Sequence, residues 1–64
     1  MEHLLAKTIL ITKVTEIIAS DYRLTLKTAR EKLYSSKLID LIEDDETGLY
    51  GESPLYVASL YEKN

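Results

Sequence analysis

Residues 41–56 read LIEDDETGLYGESPLY, and four consecutive acids, Glu43, Asp44, Asp45 and Glu46, stand there beside Gly48, Gly51 and a Ser-Pro pair. Carboxylates at this density can coordinate a hard cation or dock a basic protein. An EF-hand loop needs oxygen ligands at its first, third and fifth positions, glycine at the sixth and a bidentate glutamate at the twelfth. With Gly48 as the sixth, Glu43, Asp45 and Thr47 fall on the first three places, but the twelfth falls on Pro54, which has no side-chain oxygen, and Glu52 comes two residues too early. The acidic run therefore reads as a polar turn with no dedicated metal site. Gly48 takes the left-handed conformation, Gly51 allows a second bend, Ser53 caps, and Pro54 opens a last helix where its missing N–H costs nothing. Carboxylates at the C-terminal end of the preceding helix oppose its dipole, so a cation must lie close or the helix must end early. The basic second helix is the nearest source of that cation.

Catalytic chemistry has little to draw on. The single histidine, His3, lies at the fraying start of the chain, and there is no cysteine to act as nucleophile. Asp40, Asp44 and Glu52 could form a carboxylate pair, but acid–base catalysis needs a water-excluding cleft that so short a chain can hardly build. The expectation is a non-enzymatic protein without a cofactor.

The elements that position these residues can be read from periodicity. In residues 3–20, Leu4, Leu10, Ile11, Val14, Ile17 and Ile18 form one broad stripe at about 100° per residue. The many β-branched residues favour a strand, but the spacing decides for helix. Leu5 and Ile9 fall one turn apart on another side. Either another helix of the chain covers them or a second molecule does, and the shortage of helices favours a second copy. After a connection at residues 20–24, Thr25 caps a helix whose inward face is Leu26, Ala29, Leu33 and Tyr34, with Thr28 and Glu31 as a rival cap. Ser35-Ser36 interrupts it. Leu38, Ile39, Leu41 and Ile42 supply a third apolar surface, and in the last helix Val57, Leu60 and Tyr61 turn inward while Leu55 or Tyr56 closes the edge. The fold class is all-α: a single domain over residues 1–64, a compact bundle of three to four short helices.

At 64 residues the chain is near the size where only roughly 60% of the unfolded surface is buried. Without disulfides, self-association as a homodimer is the simplest added support. The apolar run at residues 4–19 is interrupted by Lys7, Lys13 and Glu16, so no membrane span is expected, and the lack of cysteine fits a reducing cytoplasm. Residues 1–37 hold seven Lys/Arg against four Asp/Glu, whereas residues 38–64 hold one against seven. The two parts thus carry +3 and −6, charges that can satisfy each other within one fold or between two copies.

Four of the five tyrosines follow a leucine, which lets Leu enter the core while Tyr lies across its rim. Tyrosine also favours interfaces. The surface expected to bind a partner of basic character is Tyr34, Tyr50 and Tyr56 with Asp44, Asp45 and Glu46. The alternative is a nucleic-acid-binding regulator using Arg23, Lys27, Arg30 and Lys37, against which the net charge of −3 weighs.

Residues 33–61 carry Leu-Tyr-Ser-Ser-Lys, a short apolar helix, Glu-Thr-Gly-Leu-Tyr and a Ser-Pro-Leu-Tyr helix start. This half resembles the C-terminal part of small uncharacterised bacterial proteins, domains of unknown function, some of them encoded in toxin–antitoxin or mobile-element surroundings. The resemblance implies an interaction role, regulatory or antitoxin-like, and assigns no chemistry to the motif.

Overall fold

The computed structural model describes residues 3–63. Four α-helices follow one another: α1 (Leu4–Tyr22), α2 (Leu26–Tyr34), α3 (Lys37–Glu43) and α4 (Pro54–Lys63). Two 3₁₀ turns, Asp45–Thr47 and Leu49–Gly51, link the last two. The architecture is all-α, as the periodicity requires. The radius of gyration is 10.8 Å, close to the roughly 11 Å expected of a folded domain of this length. Among the described residues no helix is long and apolar enough to cross a membrane.

Helix α1 runs two residues further than its sequence suggests. Arg23 closes it in the left-handed conformation at φ 56°, and the Leu24 N–H donates to Ala19 O at 2.9 Å. This is a Schellman-type end without the usual glycine, which is why no stop signal was visible. Thr25 caps α2 as expected, accepting from the Thr28 N–H at 3.1 Å, and the rival cap is not used. Ser35-Ser36 does break the chain between α2 and α3. Ser36 donates its hydroxyl to Leu33 O at 2.7 Å instead of capping α3. Ser53 accepts from the Tyr56 N–H at 3.2 Å and Pro54 opens α4, both as read from sequence.

The core joins Leu10, Val14 and Ile18 of α1 with Ala29 and Leu33 of α2, Leu38, Ile39 and Ile42 of α3, Leu49 of the second 3₁₀ turn, and Val57 and Ala58 of α4. Thr15 is also buried, its hydroxyl donating to Ile11 O one turn back. Several expected inward residues face solvent instead. Leu4, Leu26, Tyr34 and Leu41 are exposed, and Leu55 and Tyr56 do not close an edge. For Leu4 the reason is length. Helix α1 has 19 residues against 9 in α2 and 10 in α4, so its neighbours cannot cover its first turn, and the buried stripe begins only at Leu10. Pro54 lies beside Ile9 and Leu10 at one end and the Tyr61 ring meets Tyr22 edge-on at 5.8 Å at the other. Helices α1 and α4 therefore run in the same direction.

Candidate functional site

The cation that answers the acidic turn is Lys7. Its position three and seven residues before Leu10 and Val14 places it within the apolar stripe of α1. From there its ammonium reaches the end of α3, donating to Glu43 O at 2.7 Å and to the carboxylate of Asp45. This corrects the expectation that the basic second helix supplies the charge. A lysine on a last-turn carbonyl is the favourable arrangement for the negative end of a helix dipole. Helix α3 also ends early, since Asp44 is already extended. The Asp45 carboxyl is held below its usual range chiefly by the Lys7 hydrogen bond, with the positive charges of Lys7 and His3 adding to it. Tyr50 joins the same group. The Lys7 ammonium lies 5.9 Å from its ring centre, and the His3 ring stacks on it at 4.0 Å. His3, expected at a fraying end, is docked because it sits one turn before Lys7 on the same face of α1.

The rest of the turn is closed by its own hydrogen bonds. Asp44 Oδ1 accepts from the Glu46 N–H at 2.9 Å, and the Thr47 hydroxyl donates to Leu41 O at 2.6 Å and accepts from the Leu49 N–H at 3.2 Å. Gly48 has φ 69°, the left-handed conformation its position in the turn suggested. Gly51 has no positive φ; the second bend is made by a 3₁₀ hydrogen bond from the Glu52 N–H to Leu49 O at 2.9 Å, so glycine is not required there. Among the described residues no three His, Cys, Asp or Glu side chains are grouped to hold a metal ion. Thr47, which an EF-hand would turn inward as a ligand, is used to brace the turn. Asp40 on α3, Asp44 just after it and Glu52 beyond the second 3₁₀ turn are all exposed.

Of the residues expected to bind a partner, Asp45 and Tyr50 are brought together through Lys7. Asp44 and Glu46 lie exposed on the same turn. Tyr56 is on the first turn of α4 and Tyr34 is the last residue of α2, where the helical repeat puts it on one outward face with Lys27 and Arg30. Arg23 closes α1 with its backbone and is exposed, and Lys37 opens α3. Lys7 to Asp45 is the one ion pair among the described residues. Among the described residues, then, the basic and acidic parts meet in an ion pair at a single point.

Leu5 and Ile9 are 74% and 51% exposed, so no helix of their own chain covers them. Ile9 forms one wall of a cleft of about 270 Å³ whose other walls are Ala6, Leu10, Tyr50, Glu52 and Pro54. Nothing in the sequence marks this cleft, since Pro54 reads as a helix start and Tyr50 as a rim residue. A second cavity, a broad polar groove, lies between Thr28, Glu31, Lys32, Ser35, Ser36 and Tyr61. The Tyr22 hydroxyl nearby is pushed up by burial and by the acidic Glu62, Tyr61 and Asp21 groups. No family model, curated protein or solved structure matches this chain.

Proposed function

We propose that this chain is a non-catalytic protein–protein interaction module that forms a homodimer through the outer face of α1. A regulatory or antitoxin-like role is the one implied by the resemblance over residues 33–61. The observation that carries this reading is the exposure of Leu5 and Ile9, at 74% and 51%, on a face where a helix of a lone monomer normally carries polar residues. Completing their burial is worth roughly 2–4 kcal/mol per copy. Association itself costs an estimated 4–15 kcal/mol or more, against about 4–8 kcal/mol from these residues of both copies, so the dimer is weak and populates only at high concentration. The test is thermal unfolding across a hundredfold range of concentration. A melting temperature that rises with concentration supports the dimer, because folding is then linked to association. A melt that stays fixed removes it.

The nucleic-acid alternative uses Arg23, Lys27, Arg30 and Lys37, which are exposed and outside the ion pair of the described residues. An electrophoretic shift of duplex DNA that weakens steeply with salt is what that alternative requires.

A further inference from the structure

The open cleft between α1, the second 3₁₀ turn and the start of α4 has a volume of about 270 Å³. That lies just below the roughly 300–1,000 Å³ of small-molecule sites. Its walls are mainly apolar, Ala6, Ile9, Leu10, Tyr50 and Pro54, with Glu52 as the one charged group. Such a site lacks the converging polar groups that orient a small molecule, and its size suits one large apolar side chain of a partner. Leu5 and Leu55, the sequence neighbours of Ala6 and Pro54, are 74% and 73% exposed.

The surrounding charge selects the occupant. Residues 43–52 hold five carboxylates and no Lys or Arg, and Lys7, the cation tied to them, is already bonded to Asp45. Glu52 stands in the cleft wall, while Asp44 and Glu46 are exposed on the turn that Lys7 holds beside Tyr50. This negative rim disfavours nucleic acid, anionic lipid and acidic proteins. A second copy related by a two-fold axis through the cleft would bring an identical five-carboxylate turn against the first. We infer that the cleft receives an apolar side chain from a basic amphipathic segment of another protein, whose flanking Lys or Arg residues meet Glu52, Asp44 and Glu46. This rests on the interaction-module reading but not on the dimer. Leu5 does not line the cleft, whereas Ile9 belongs to both surfaces.

Amide NMR of the labelled chain tests this with three synthetic helical peptides of about four turns each: Leu/Lys, Ala/Lys of equal charge, and Leu/Glu. The Leu/Lys peptide is expected to bind saturably, with shifts centred on Ala6, Ile9, Tyr50 and Glu52. The other two should bind about tenfold more weakly or worse. Ile9→Asn and Glu52→Lys, both at exposed positions, should each weaken the Leu/Lys peptide by about tenfold while the spectrum elsewhere is unchanged. Equal binding of Ala/Lys, shifts centred on α2, or insensitivity to both substitutions overturns the inference. Cleft amides that move on dilution of the chain alone, with no saturable response to Leu/Lys, make the occupant a second copy; that outcome overturns the basic partner and leaves the dimer standing. A monomer at every concentration with no response to any peptide removes both.

Discussion

Gly48 and Gly51 stand three residues apart in one loop, yet they should respond to the same added methyl group in opposite directions. Gly48 has φ 69°, where the Cβ of an L-residue crowds its own backbone at a cost of roughly 1–2 kcal/mol. Space is not the obstacle, since a Cβ built there meets nothing within 4 Å. Replacing glycine also removes freedom from the unfolded chain and thereby returns about 0.4–1 kcal/mol. The net expectation for Gly48→Ala is a loss of about 1 kcal/mol. For Gly48→Val, with its branched Cβ, the loss is about 2 kcal/mol, whereas Gly48→Asn should lose less than Ala because Asn tolerates this region. At Gly51 no positive φ is held and the surroundings are equally open. Only the unfolded-chain effect then acts, and Gly51→Ala should gain about 0.4–1 kcal/mol. Urea unfolding followed by circular dichroism measures both, and in a domain of this size 1 kcal/mol moves the melting temperature by about 4–8 °C. A Gly48→Ala variant with an unchanged midpoint, or a Gly51→Ala variant that falls as far as Gly48→Ala, would refute this reading of the turn.

Arg23 holds the same left-handed conformation with a side chain attached, so Arg23→Gly should raise stability by about 0.5–1 kcal/mol in the same urea assay. The Thr15 hydroxyl bonds only to a carbonyl of its own helix, and Thr15→Val should stay within about 1 kcal/mol of the parent, whereas a larger loss would mean the hydroxyl has a further role. The carboxyl of Asp45 is lowered by Lys7 in the folded state, so its contribution is present above the ordinary carboxylate range and is lost as pH falls through the folded value. Unfolding midpoints between pH 7 and pH 3 should therefore fall less steeply in Lys7→Met than in the parent; parallel pH profiles would show that the pair is not formed.

Much of the fold was legible because periodicity and caps act locally. The stripe of Leu10, Val14 and Ile18, the Thr25 and Ser53 caps, the break at Ser35-Ser36 and the left-handed Gly48 each follow from a few adjacent residues. What was not legible depends on lengths and on distant contacts. Leu4 satisfies the helical repeat of a core face, but α2 and α4 are too short to cover it. The partner of the acidic turn could not be ranked by nearness in sequence, since Lys7 lies 38 residues from Asp45. One signal did exist: Lys7 is a lone cation inside the apolar stripe of α1, and such a residue needs an anion at the end of its reach. The end of α1 was hidden for a simpler reason, because Arg23 occupies a position where glycine is the usual marker. Of the candidate site, the exposure of Leu5 and Ile9 could be read from their angle on the helix, whereas the cleft beside them required knowing that Pro54 and Tyr50 come to rest against Ile9.

Sedimentation equilibrium at high micromolar concentration weighs the proposed dimer most directly. The parent chain should approach twice its 7.3 kDa mass, and Leu5→Glu with Ile9→Glu should return it to the monomer while the helix content is retained. A parent chain that sediments at the monomer mass throughout, or a double variant that remains dimeric, contradicts association through the outer face of α1.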